Sequence, residues 1–156
     1  MRTPRVLYLV AVLAGTLLLP LTVFAADQES LLMARSTKPF DSTLDQLSAA
    51  IDFYGYKISR IQRVDVGLTK SGFKTGKYRL VFFGKAREID TLLDQFPQLA
   101  PFVPLKVVIF SEDNETILLA VNPGHLAQLV PEKKLLVHYR QWEQDLKNIL
   151  KSATTD

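Results

Sequence analysis

Two apolar stripes with helical spacing, one near each end of the chain, constrain the fold most strongly. Successive members of both stripes are separated by four, three, four and three residues, which places them on one face of an α-helix. Gly55 ends the first helix, and Pro131 precedes the second. The stripes are Phe40, Leu44, Leu47, Ile51 and Tyr54, and Leu135, Tyr139, Trp142, Leu146 and Ile149. The segment between them must therefore provide an apolar surface that these helices cover.

This intervening segment is mainly β-like. Strands are predicted over 56–68 and 77–83, and 105–110 forms a hairpin with 116–121 around a polar turn. A further helix between the strands ends at Pro97. The irregular order of helices and strands, with an antiparallel hairpin near its end, predicts an α+β fold. We expect a mixed, partly antiparallel sheet of four to five strands with two or three helices, plus a C-terminal amphipathic helix.

The N-terminal residues have the pattern of a secretory signal peptide. Two arginines precede an apolar run that ends at Pro20, and Val23 and Ala25 have the modest side chains that signal peptidase accepts. We therefore predict a signal peptide over 1–25, cleavage between Ala25 and Ala26, and a periplasmic or secreted protein. An uncleaved membrane anchor is the alternative, because the apolar stretch of about 20 residues is just long enough to span a bilayer.

The remaining chain divides into an N-terminal strand or tail (26–36), an α+β domain (37–130) and a C-terminal helix and tail (131–156). Its composition and charge exclude several classes of site and partner. The chain has no cysteine, so disulfides and thiolate metal sites are excluded, and it has two histidines. Its net charge of +3 falls to +1 once the two arginines of the leader are removed. With so small a charge, an exported protein is expected to bind no nucleic acid and to meet the membrane only transiently, through its signal peptide.

The segment 57–87 is unusually basic, because Asp65 is its single acidic residue against nine lysines and arginines. Such a segment binds an anion, an anionic lipid surface or an acidic partner protein, or it is simply a solvated hairpin. Arg79 and Lys106 stand inside apolar strands, so each is a surface residue, an internal ion pair or an anion ligand. The candidate anion-binding residues are Lys74, Lys77, Arg79 and Lys106.

Three groups of residues resemble a known family. They are Phe40-Asp41-Ser42-Thr43-Leu44 with Gly55-Tyr56, Val81-Phe82-Phe83-Gly84-Lys85 with Phe96-Pro97, and Pro104-Leu105-Lys106-Val107 with Val121-Asn122-Pro123. Over residues 37–129 the chain resembles the bacterial and archaeal family catalogued as domain of unknown function 302. The resemblance implies a small α+β domain that often self-associates and has no assigned reaction. The leader makes this chain an exported member, and the long C-terminal helix departs from the common pattern.

The sequence shows no catalytic signature: it has no nucleophile–base pair, no cluster of metal ligands and no cofactor-binding motif. It therefore predicts an exported, non-enzymatic binding or protein-interaction module with no catalytic residues, no metal and no cofactor. The expected partner is an anionic ligand, another protein or a second copy of the chain. The C-terminal stripe either packs on its own core or forms a dimer seam. Two alternatives stay open: a periplasmic enzyme that uses carboxylate and basic residues, and a peripheral membrane protein that uses segment 57–87.

Overall fold

Five strands form one sheet, and helices pack against one of its faces. The structure is a computed structural model that describes residues 30–155; the predicted signal peptide and its cleavage site lie outside the described residues. The strands are β1 (Leu31–Ser36), β2 (Lys57–Arg63), β3 (Tyr78–Gly84), β4 (Leu105–Glu112) and β5 (Glu115–Val121). The helices are α1 (Phe40–Phe53), α2 (Val64–Lys70), α3 (Ala86–Gln95), α4 (Leu126–Leu129) and α5 (Leu136–Thr154). Short 3₁₀ turns occupy Pro97–Leu99, Pro123–His125 and Lys133–Leu135.

The strand order is β1-β5-β4-β3-β2, and every neighbouring pair is antiparallel. The predicted α+β class, the strand number and the C-terminal amphipathic helix are confirmed. The sheet of the described residues is antiparallel throughout, whereas we expected a mixed one. A parallel pair needs a crossover connection, and the connection from β3 through α3 to β4 returns the chain in the opposite direction instead.

The helix-covered face of the sheet forms the core. Alternation along the strands places Val81, Phe83, Val107, Ile109, Leu118 and Ala120 on this face, and all six are buried. Helices α1 and α5 contact each other and pack against this layer. Every member of the C-terminal stripe is at most 2% exposed, so the stripe packs on the core of its own chain. Gly55 ends α1 as predicted, with a φ of 77° that favours glycine.

The opposite face of the sheet is apolar and only partly covered. We call it the bare face, and it comprises Met33, Leu80, Phe82, Val108, Phe110 and Leu119, which are half-buried or exposed. Met33, Leu119, Val108 and Leu80 lie in one row across four neighbouring strands. Side chains in such a row contact one another directly. The bare face is therefore a continuous apolar surface on the outside of the chain.

One predicted strand is shorter than expected. The apolar alternation suggests a strand over 56–68, but β2 ends at Arg63 and α2 begins at Val64. Arg63 pairs with Arg79, next to the first residue of β3, so a longer β2 has almost no partner left to hydrogen-bond. Unpaired backbone groups are costly, and a helix satisfies them within the segment itself.

Candidate functional site

Several cations of the basic segment 57–87 each contact a different partner within the chain. Lys57 forms an ion pair with Asp52, and Lys77 forms one with Asp41. The ammonium group of Lys85 lies 4.4 Å from the centre of the Tyr56 ring, a cation–π contact. These cations therefore do not converge on one point, and a large part of their charge is already compensated within the chain.

The sequence allows Arg79 to be a surface residue, part of an internal ion pair or an anion ligand, and the structure shows an internal ion pair. Its guanidinium group binds the carboxylate of Asp65 in α2, and the two side chains are only 12% and 16% exposed. The hydrogen bond from Arg79 lowers the pKa of Asp65, because it stabilises the charged carboxylate. Arg79 also lies 5.6 Å from the centre of the Phe40 ring. The residue thus holds α2 against the start of α1.

The four candidate anion-binding residues do not form one site. Lys77 joins Arg79 beside the Phe40 ring, at 5.5 Å from its centre, whereas Lys74 is exposed in the loop before β3. Lys106 pairs with Phe82 and lies on the other face of the sheet from Arg79. The loop borders an open depression, but Asp65 shares its lining with the cations. Only Lys106 belongs to a more enclosed cavity.

That cavity, which we call the end pocket, lies where β4 begins and β5 ends. Its volume is about 340 Å³, within the range of about 300–1,000 Å³ typical of small-molecule sites. The side chain of Asn122 accepts a hydrogen bond of 2.9 Å from the backbone of Gly124, which turns the chain after β5 and brings α4 to the pocket. The lining residues are Pro101, Phe102, Leu105, Lys106, Val121, Pro123, His125, Leu126, Leu129 and Leu146.

The end pocket is apolar apart from two basic side chains. None of its lining residues is acidic, and eight of the ten are apolar. Lys106 is exposed between the buried Leu105 and Val107. Within residues 30–155 no acidic group lies within ion-pair distance of Lys106. The second basic residue, His125, interacts electrostatically with Glu143. The pocket therefore combines an apolar interior with one uncompensated positive charge.

A buried carboxylate, Glu143, lies behind the turn that borders the pocket. Asn122 donates a hydrogen bond of 3.0 Å to its Oε1, and Lys147 donates one of 2.7 Å. Burial by itself raises the pKa of Glu143, but these hydrogen bonds and the charges of Lys147 and His125 lower it below its ordinary value. A Cβ at Gly124 would lie 2.5 Å from Glu143 Oε2, so a larger residue at this position would displace the Glu143 carboxylate. Glu143 is thus a structural anion that stays ionised.

A second buried network joins α5 to the start of β2. The hydroxyl group of Tyr56 donates a 2.8 Å hydrogen bond to Asp145, which also accepts one of 2.8 Å from Gln141. Burial, together with the nearby carboxylate of Asp145, raises the pKa of Tyr56 far above its ordinary value. Tyr56 therefore stays a neutral donor that anchors α5. Among residues 30–155 no group of acidic and histidine side chains is arranged to hold a metal ion.

The end pocket could not be predicted from the sequence, because its walls come from separate parts of the chain. The available signal was indirect: prolines punctuate the segment 97–104, and Asn122-Pro123-Gly124 marks a sharp turn after β5. Each signal predicts a loop, and only folding brings the two loops to the same end of the sheet.

Of the helices that the structure describes, none combines the length and apolar character needed to cross a bilayer.

The fold and the pocket define a small antiparallel α+β domain with an apolar cavity at one end of its sheet. The chain belongs to the family described as domain of unknown function DUF302, whose model matches residues 33–153. This confirms the predicted family, and the matched range extends to the last turn of α5, beyond the predicted domain end at residue 130. A crystal structure described as uncharacterized conserved protein DUF302 from Bacillus stearothermophilus is similar in fold, with a TM-score of 0.73 at 16% identity. The similarity covers 80% of this chain and 98% of that one. No curated protein matches the chain.

Proposed function

We propose that this protein is an exported, non-enzymatic binding module whose ligand is a small apolar molecule held in the end pocket. The observation that carries the proposal is the pocket itself: a cavity of about 340 Å³ with eight apolar lining residues and an uncompensated lysine. Burying apolar ligand surface in such a cavity contributes about 25 cal/mol per Å². The residues around the pocket can bind a ligand, and none of them is arranged for a catalytic step.

The enzyme alternative finds less support in the charges around the pocket. A general acid–base carboxyl group needs a pKa raised toward the working pH. Glu143, the buried carboxylate behind the pocket wall, has a lowered pKa and is held by Asn122 and Lys147. A carboxylate fixed in this way neither takes up nor releases a proton near neutral pH. The arrangement therefore favours binding over acid–base catalysis.

Binding of 1-octanol tests this proposal, because this probe has an apolar chain and no charge. We expect the purified protein to bind it, and we expect Leu129→Gln to weaken binding about fivefold through loss of apolar contact. Leu129 lines the pocket but is 64% exposed, so the fold tolerates the change. Val137→Gln is the matched control, since Val137 is 67% exposed and does not line the pocket. Calorimetric titration that finds no binding of the probe contradicts the proposal.

Export is the second part of the proposal and is supported by the leader pattern of the N-terminal residues. When the full chain is expressed with its leader, we expect the protein outside the cytoplasm with Ala26 as its first residue. N-terminal sequencing of the purified protein measures this directly. An intact Met1 in a membrane fraction shows instead that the apolar stretch is a retained anchor.

Self-association is a second candidate function, and the bare face is the observation that favours it. Met33 is 56% exposed in the apolar row, and Leu31 and Val121 beside it are 50% and 51% exposed. At one end of the face Arg35 pairs with Glu115 at 2.8 Å, so this charge is compensated within the chain and the apolar row is the surface that is left to cover. Burial of this row between two copies turned end for end favours a twofold homodimer. We expect the protein to sediment with twice the mass of one chain.

A further inference from the structure

We propose that the end pocket selects aliphatic carboxylates over neutral molecules of the same chain length, and that Lys106 is the residue that makes this selection. The inference rests on the proposed binding function of the pocket and names the chemical class of its ligand. The apolar lining contacts the hydrocarbon chain, and the ammonium group of Lys106 donates a hydrogen bond to the carboxylate.

The position of Lys106 suits this role. It stands on β4 between two buried residues, and its own side chain is exposed while lining the pocket. A lysine in this position lays its methylene groups along apolar surface and keeps its ammonium group in water. Because no acidic group of residues 30–155 pairs with Lys106, its charge is available to a ligand.

The surrounding charges do not oppose an anion. The lining residues include no aspartate or glutamate. Glu143, the carboxylate behind the wall, is compensated by Lys147, which donates a 2.7 Å hydrogen bond to it. A ligand carboxylate that approaches Lys106 therefore meets a favourable potential.

The lining also excludes other classes of anion. Phosphate groups are bound by arginine forks, several lysines or runs of backbone N–H groups, and the end pocket offers one lysine and a largely apolar wall. Sugars and nucleotides need many polar partners, which eight apolar residues do not supply. A ligand with one negative charge and an apolar tail matches both parts of the site.

The test compares three probes of equal chain length on the full chain, purified after any processing by the host: octanoate, 1-octanol and octylamine. By calorimetric titration at neutral pH and low salt, we expect octanoate to bind about tenfold more tightly than 1-octanol, as one charge-assisted hydrogen bond permits. Octylamine is expected to bind more weakly than 1-octanol, because Lys106 repels it. Added salt is expected to reduce the preference for octanoate.

Two variants locate the selecting charge. Lys106→Met removes the ammonium group and keeps an unbranched apolar side chain of similar length, and we expect it to abolish the preference for octanoate while leaving the affinity for 1-octanol unchanged. Lys74→Met is the matched control, since Lys74 is exposed and lies outside the end pocket. This control is expected to retain the full preference. Circular dichroism confirms that both variants are folded.

The outcomes separate this inference from the proposed function. Equal affinities of the unchanged protein for octanoate and 1-octanol overturn the carboxylate inference and leave the apolar binding site in place. Failure of both probes to bind overturns the proposed function as well. Loss of the preference in Lys74→Met, with Lys106→Met unaffected, overturns the role of Lys106 and places the anion site in the loop before β3.

Discussion

Phe83→Ala is expected to lower the free energy of unfolding by about 3–5 kcal/mol, the usual cost of removing a buried ring from a core. Phe83 is fully buried on the helix-covered face of β3. Its ring meets that of Tyr56 edge-on, with 5.6 Å between the ring centres, a contact that contributes beyond the buried area. Urea denaturation followed by the fluorescence of Trp142, the single tryptophan, measures the change.

Phe82→Ala is the matched control for this prediction. Phe82 is the adjacent residue on the same strand, but it is only half-buried and lies on the bare face. We expect its removal to cost about 1–2 kcal/mol, because the ring loses less buried area. If Phe82→Ala proves as destabilising as Phe83→Ala, the assignment of the two faces of the sheet is wrong.

Leu119→Glu is expected to convert the proposed homodimer into a monomer. Leu119 lies between Met33 and Val108 in the apolar row of the bare face. A carboxylate there loses its water on dimerisation and gains no partner, so we expect the dissociation constant to rise at least about a hundredfold. Sedimentation velocity over a range of protein concentrations measures the mass of the species present. The unchanged protein is expected to sediment as two chains and the variant as one.

Val137→Glu controls for the introduction of a charge on exposed apolar surface. Val137 is 67% exposed on α5, away from the strands of the bare face, so the variant is expected to remain dimeric. Circular dichroism establishes that both variants are folded, which separates lost association from lost structure. A monomeric unchanged protein at the highest concentration, or a dimer that survives Leu119→Glu, removes the bare face as the interface.

The two proposals concern neighbouring parts of the molecule and are tested by different variants. The end pocket is lined by the segments around residues 101–106 and 121–129, and its residues Lys106 and Val121 lie on the same sheet face as the apolar row, which crosses the middle of the sheet. Leu129→Gln changes only the pocket, and Leu119→Glu changes only the row of the bare face. A variant of one kind that alters the other property would show that ligand binding and association are coupled.

Elements whose signal is local could be predicted from the sequence. The apolar stripes of α1 and α5 match the 3.6-residue repeat of a helix. They therefore show which face of each helix is buried, whatever surface packs against it. The hairpin of β4 and β5 follows from two apolar runs around a short polar turn. The family-like motifs lie at the same turns and strands, which is why family and class were also predictable.

Features that depend on partners far apart in the sequence could not be predicted, because they arise only when the chain folds. α2 replaces the end of a predicted strand because Tyr78 is the one residue of β3 left to pair with it beyond Arg79. Arg79 forms an ion pair because folding brings Asp65 to it. The end pocket exists because the turn at Asn122 and the proline-containing segment before β4 meet at one end of the sheet. Periodicity determines which side of an element is buried, but the partner that covers it is determined by packing across the whole chain.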